Sequence, residues 1–302
     1  MGLFAERGIR TTSVLLEEKQ GTLQLIVSKE RGAPGDVRKP SKRRLKSIVV
    51  PHFPLDDHVS PGDVQNVREF GTEDAFRSVV SEVNDKLSDL RQAHALQLEW
   101  LRVGCLKGKV IDGDGNTVLL DLFSEFGVTQ KEFDFILGTA TTKVKTICTR
   151  VKTYIEEQLG AMPHSYIHAM CGKSFFEAFV QHALVEKAFD RFQNGAFLRS
   201  DQRQAPFEFA GIVWEQYVGK VGDQEFIPPG DCRFFPVGTP GLFQTVFAPA
   251  NMMSQANRPG LAVYASQEPL PHDQGLSLHT ESNPMSYCTR PAVLVRGYTS
   301  NY

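Results

Sequence analysis

Between Glu73 and Lys107 the chain carries an apolar stripe too long and too regular for anything but a helix: Phe76, Val80, Val83, Leu87, Leu90, Ala93, Leu98, Leu101 and Cys105 recur at helical spacing. Thr72 after Gly71 supplies an N-cap. Glu73 and Asp74 complement the positive end of the helix dipole, and Arg102, Lys107 and Lys109 gather around Gly108 at the negative end. About 35 residues at about 1.5 Å each make a rod of about 50 Å, long for a compact domain. Burial of such a stripe contributes a gross stabilisation of about 15 to 25 kcal/mol, so whatever lies against it is held firmly. Because the flanking chain reads as strands, a helix laid across sheets is expected rather than a coiled coil, and the fold class is α+β.

Strand-like runs at Thr12–Leu16 and Thr22–Val27 flank the polar stretch Glu17–Gly21, which reads as a turn. Ser28–Lys46 is rich in glycine, proline and charge, and Ser47–Val50 returns as a β-branched run. The pattern describes an extended hairpin over residues 22–50. A two-stranded arm is marginal on its own in water and its open edges invite pairing, so its natural partner is another subunit. Arg31, Arg38, Lys39, Lys42, Arg43, Arg44 and Lys46 give the arm a cationic end. The cluster within residues 38–46 also admits a nucleic-acid binding module, although no aromatics are interleaved to stack on bases. The whole chain is no polycation, with 33 Lys and Arg against 35 Asp and Glu.

Pro51, Pro54 and Pro61 impose an extended descent into the long helix. Beyond it, Lys109–Ile111 and Thr117–Leu122 flank Asp112-Gly113-Asp114-Gly115-Asn116, which opens like a calcium loop. Thr117 and Phe123, however, occupy the positions where such a loop needs glycine and a bidentate acid, so a hairpin turn is expected. Glu132–Leu137 reads as a strand. From Thr141 a second domain is expected: helices at 144–159 and 173–190, then strands at 209–218 and 226–237, with short runs at 261–266 and 292–295 returning to the first domain.

Chemistry-bearing patterns are sparse. His164, His168 and Cys171 fall at helical spacing and form the best metal candidate, the basis for an alternative reading as a metal-dependent hydrolase. Yet Ser165 stands where a zinc-protease helix carries its glutamate. Gly172-Lys173-Ser174 ends like a phosphate loop but lacks the upstream glycine, Ile167 standing in its place. No catalytic residue, cofactor or metal is expected. Five cysteines without a C-x-x-C pair read as reduced thiols, and the absence of a long apolar run or signal-peptide core points to a soluble chain without a membrane partner.

Taken in order, Thr11-Thr12, the proline-spaced segment Val50 to Gly62, Leu106-Lys107-Gly108-Lys109, Phe126-Gly127-Val128, Phe226-Ile227-Pro228-Pro229-Gly230 and Arg290-Pro291-Ala292-Val293-Leu294 resemble the major capsid protein E family, the coat proteins of lambda-like tailed bacteriophages. The resemblance spans nearly the whole chain. It implies the tailed-phage coat fold with an extended hairpin loop, spine helix, peripheral domain and axial domain. Residues 1–21 become a short N-terminal segment and first strand, 22–50 the loop across the next subunit, 51–140 the peripheral domain with its spine helix 73–107, 141–260 the axial domain, and 261–302 the return to the peripheral domain.

The function it implies is a structural shell protein, assembled in the host cytoplasm through hexamers and pentamers into an icosahedral head, the virion capsid, around double-stranded DNA. Scaffolding, portal and decoration proteins are its further implied partners, and contact with the packaged DNA is weak and non-specific. Family members usually carry a longer N-terminal arm before the position of Gly8, so contacts of that arm are not carried over. No covalent crosslink is expected.

Overall fold

The structure, a computed structural model, describes residues 2–20, 42–65, 78–192 and 207–301. The first part comprises β1 (Ala5–Gly8), β2 (Ser13–Gln20), β3 (Lys42–Val49), β4 (Phe53–Val59), a single turn α1 (Pro61–Val64) and the long helix α2 (Val79–Lys107). Next come β5 (Lys109–Ile111), β6 (Val118–Asp121), α3 (Leu122–Phe126), β7 (Lys131–Asp134), α4 (Val144–Leu159), β8 (Tyr166–Cys171), α5 (Lys173–Gln181) and α6 (Ala183–Phe192). The remainder is β9 (Phe207–Phe209), β10 (Ile212–Gln216), β11 (Lys220–Val221), β12 (Gln224–Glu225), β13 (Asp231–Val237), β14 (Phe243–Phe247), β15 (Tyr264–Pro269), β16 (Leu276–Ser282), β17 (Pro284–Cys288) and β18 (Val295–Tyr298).

A six-stranded sheet in the order β7-β18-β13-β8-β10-β9 forms the centre. The pairs β10/β8 and β18/β7 are parallel, and the other neighbours run antiparallel. Its strands come from before residue 140, from the middle of the chain and from near the C-terminus, so one ladder knits distant segments together. Five aromatic rings fill the space beside it: Trp214 stacks on Phe179 at 3.9 Å and meets Phe234 and Phe135 edge-on, while Phe135 meets Phe175. Trp214 Nε1 donates to the Phe209 carbonyl at 3.2 Å, so the indole is buried with its polar atom satisfied. Two smaller sheets, β1-β14-β17 and β15-β16-β4, lie to either side of the chain's long helix in sequence and are tied to it by packing.

The long helix runs from Val79, and the expected start at Thr72 and Glu73 lies outside the described residues. Ser78 has extended backbone (φ −90, ψ 153) and its hydroxyl accepts from the Ser81 amide, which makes it the N-cap. Phe76 lies outside the described residues. Val80, expected in the buried stripe, is 68 % exposed, and Ala93 is exposed as well. Both belong to the side of the helix that turns from the sheet, because the buried face follows Glu82, Val83, Leu90, His94 and Leu101, with Leu87 half-buried.

The two halves of α2 rest in different places. Toward the C-terminus Leu101, Val103, Cys105 and Leu106 all enter the main core, where Gly104 lets β5 approach: a Cβ there would stand 3.1 Å from Val110 Cα. The helix stops at Gly108 (φ 84), a left-handed position where a side chain would also strike the Phe123 ring. Toward the N-terminus, among the described residues, Val83 and Leu90 join Val59 and Leu278 in a satellite core on the β15-β16-β4 sheet, with Val64, Leu87 and Leu276 at its margin.

His94 sits between the two halves, buried against β16. The Thr280 hydroxyl donates to the Leu55 carbonyl at 3.0 Å, so its oxygen is left to accept from His94 Nε2, also at 3.0 Å. Burial lowers the pKa of His94 from its ordinary 6.5, since a second proton would place an unsolvated charge inside.

The expected helix 173–190 is two helices. His182 breaks it with extended backbone (φ −65, ψ 125), its ring lying 3.1 Å from the Thr139 carbonyl, and Leu184 is 44 % exposed instead of apolar-facing.

Leu101→Ala should lower stability by about 2 to 5 kcal/mol in chemical denaturation, because the main core cannot close over the space, whereas Val80→Ser should stay within about 0.5 kcal/mol. His94 binds fewer protons folded than unfolded, so its contribution is complete above pH 6.5 and is lost as pH falls below it. His94→Gln, which keeps a donor toward Thr280, should therefore flatten the fall in unfolding midpoint on the acid side of that value.

Candidate assembly interface

β2 and β3 form an antiparallel ribbon from Ser13↔Val49 to Gln20↔Lys42. The ascending strand of the arm is therefore Ser13–Gln20, and Glu17–Gln20, expected to turn, is strand. Thr22–Val27, Arg31, Arg38 and Lys39 lie outside the described residues. Lys42, Arg43, Arg44 and Lys46 belong to β3 and not to a loop, in register with Gln20, Lys19, Glu18 and Leu16. This places four cations along one strand of a two-stranded ribbon.

The root of the ribbon is fixed in the main core. Val14 and Ile48 face each other in register and are both buried, as is Val50, whose amide donates to the Thr12 carbonyl at 3.0 Å. Between them Val49 is 74 % exposed. Alternation thus buries one face of the root and presents the other.

Beside the root opens a cleft of about 640 Å³, bordered by Arg10, Thr12, His52, Ala250 and Asn251, with Glu281 beneath. Glu281 is fully buried. Its carboxylate accepts from the Asn251 amide at 2.8 and 3.1 Å and from Asn283 Nδ2 at 2.5 Å, and it stands 3.0 Å from His52 Nδ1 and 3.8 Å from His279 Nε2. His279 Nδ1 in turn bonds Asp56. A buried carboxylate requires such partners, and these come from the chain leaving the arm, from β16 and from the loop after β14. The arm's exit is consequently tied to the satellite sheet.

A second charged cluster joins the end of α2 to the central sheet. Asp231 accepts from Arg233 at 2.6 Å and from Arg296 at 3.0 and 2.8 Å, and Arg296 reaches Glu132 at 3.0 Å. The cluster spans β13, β18 and β7. Lys107, over the Trp100 ring at 4.9 Å, has its pKa lowered to about 8 by burial and by the Arg233 charge, against a smaller opposing pull from Asp231.

The helical arrangement expected of His164, His168 and Cys171 does not form, because Tyr166–Cys171 is strand β8 and His164 precedes it. With a period of two, His168 and Cys171 point to opposite faces. His168 Nε2 pairs with Glu215 at 3.0 Å, His164 lies 3.7 Å from Glu156, and Cys171 faces Cys232 in the core. Among the described residues no three of His, Cys, Asp and Glu are gathered to hold a metal ion. The Asp112–Asn116 stretch is a hairpin turn, as the spacing predicts: the Asp114 carboxylate accepts from the Thr117 hydroxyl and from the Thr117 and Asn116 amides, which together hold its carboxyl below the usual range.

The model of the family described as phage major capsid protein E matches residues 1–299. The chain is 29% identical over 319 aligned positions to the major capsid protein of Pseudomonas phage KPP10, covering 98% of this chain and 90% of that protein. It is 23% identical over 329 positions to the major capsid protein of Salmonella phage Felix O1, covering 98% and 89%. Among solved structures, the capsid of Cyanophage P-SCSP1u superposes with a TM-score of 0.54 at 12% identity, covering 99% of this chain and 87% of that one.

Asp231→Asn should cost about 3 to 5 kcal/mol, measured by denaturant unfolding, because it leaves Arg233 buried without its counter-charge.

Proposed function

The chain belongs to the phage major capsid protein E family, and on that premise we propose a division of labour for its parts during assembly. The protein is structural and not an enzyme: copies of it make up the icosahedral shell of a phage head, and its place is the virion. The observation that carries this is the family match over almost the entire chain together with a coat-protein fold that covers 99% of it.

Residues 22–50, with the ribbon that leads into them, act as the arm that lies across a neighbouring subunit, and the cations Lys42, Arg43, Arg44 and Lys46 meet an acidic surface there. Support comes from the arm's root, fixed by Val14, Ile48 and Val50, and from a marginal ribbon that gains by pairing elsewhere. Residues 51–140 and 261–302 serve as the peripheral domain. Residues 141–260 serve as the axial domain at the centres of hexamers and pentamers.

Each subunit contact is heterologous, so rings close by rotation and individually weak arm contacts add once the ring exists. Assembly takes place in the host cytoplasm, with scaffolding, portal and decoration proteins as finer partners and packaged DNA in weak non-specific contact. Reversing charge in Arg43→Glu/Arg44→Glu should remove the fast-sedimenting particle fraction while the subunit keeps its circular dichroism and melting temperature. Sedimentation velocity with electron microscopy checks this, and an unchanged particle yield would sink the arm's role.

A further inference from the structure

Cys171 on β8 and Cys232 on β13 are direct register partners in the middle of the six-stranded sheet, their sulfurs 3.2 Å apart and both side chains fully buried. The next pair along the ladder is the hydrogen-bonded one, since the Gly172 amide donates to the Asp231 carbonyl at 2.8 Å. The Cys171 carbonyl points the other way and accepts from the Tyr217 amide at 2.9 Å. Cys171 and Cys232 thus occupy a non-hydrogen-bonded site, where Cα atoms stand about 4.5 Å apart and side chains approach most closely. That separation falls within the range of about 4.4 to 6.8 Å that disulfides span, so a bond could close with little backbone movement.

We propose that Cys171 and Cys232 form a latent dithiol that a small hydroperoxide converts to a disulfide stapling β8 to β13. The chemistry balances in two steps. One sulfur attacks the peroxide, the O–O bond breaks, and a sulfenic acid and one water result; the second thiol then displaces the hydroxyl as a second water while the S–S bond forms. Two thiols lose two electrons and two protons, and hydrogen peroxide is reduced to two waters. Size selects this oxidant. Neither sulfur is exposed, so a bulky disulfide such as oxidised glutathione cannot reach them, and burial together with the neighbouring sulfur pushes the Cys232 thiol well above its ordinary range, which makes attack on the peroxide slow. Cys148 on α4 is also buried, its thiol pushed up to about 12, and is not in register with either partner. A virion persists outside cells, where thiols meet oxidants, so the staple would form after release and would close a loop between residues 61 apart in sequence.

The test treats purified full-length protein, free of reductant, with hydrogen peroxide. Catalase then removes the excess, guanidinium containing N-ethylmaleimide unfolds the chain and blocks remaining thiols, and an unreduced digest is analysed by mass spectrometry. The expected result is a single linked peptide joining Cys171 to Cys232, two of the five thiols lost, and both restored by phosphine reductant. The Cys148→Ala variant should give the same link, and if it does not fold, the wild-type map still decides. Five alkylated thiols, sulfinic acid at either position without a link, or a link through Cys148 would each overturn the proposal.

Discussion

Everything in this structure follows from the difficulty of burying a 29-residue helix. A rod of about 43 Å cannot be covered by one layer of a compact domain, so α2 divides its apolar face between two supports. Its C-terminal half is enclosed by the main core, where Gly104 allows backbone contact and Gly108 ends the helix against Phe123. Its N-terminal half lies on a three-stranded sheet through a satellite core of four buried side chains. The first attachment is deep and the second is shallow, so loosening should begin at the shallow end.

This unequal support suits a shell subunit. A coat protein must present the same surfaces in slightly different neighbourhoods, which is easier when a rigid centre carries lightly attached parts. The central sheet supplies rigidity: its aromatic cluster and the Asp231–Arg233–Arg296–Glu132 cluster fasten strands drawn from three regions of the chain. The arm's root is fastened too, by Val14 and Ile48 in the core and by the buried Glu281 carboxylate at the exit. Beyond that root the ribbon is two strands wide among the described residues, and the edges of a two-stranded ribbon are the kind of surface that an adjoining subunit can complete.

How much was legible in the sequence depended on whether the signal was local. The long helix declared itself by periodicity and by Gly108, and the Asp112–Asn116 hairpin by turn chemistry. The helix's first turn did not: Thr72 reads as the cap in the sequence, and it is the extended backbone of Ser78, with its hydroxyl on the Ser81 amide, that starts the helix at Val79. Helical spacing likewise suggested a shared face for His164, His168 and Cys171, where a β-strand in the middle of a sheet imposes a period of two. Strands β16 and β17 went unread since Leu276–Ser282 is largely polar and Pro284–Cys288 opens on a proline, so both become strands only when a neighbour completes the ladder, whereas Phe243–Phe247 carries a strand-forming composition of its own. His94 gave no sign of its burial: a histidine among apolar positions looks polar until Thr280 is brought opposite it.

The chain by itself determined that it would carry a long helix, a basic arm and an α+β body, because these rest on periodicity, charge and turn residues close together in sequence. It also held, in the order of its scattered motifs, the resemblance to phage coat proteins. Only the tertiary structure decided which strands share a sheet, which carboxylates are buried, and that two cysteines 61 residues apart stand face to face. Those outcomes depend on pairing across the chain, and pairing is selected by the burial of every partner at once and not by any one segment's own preference.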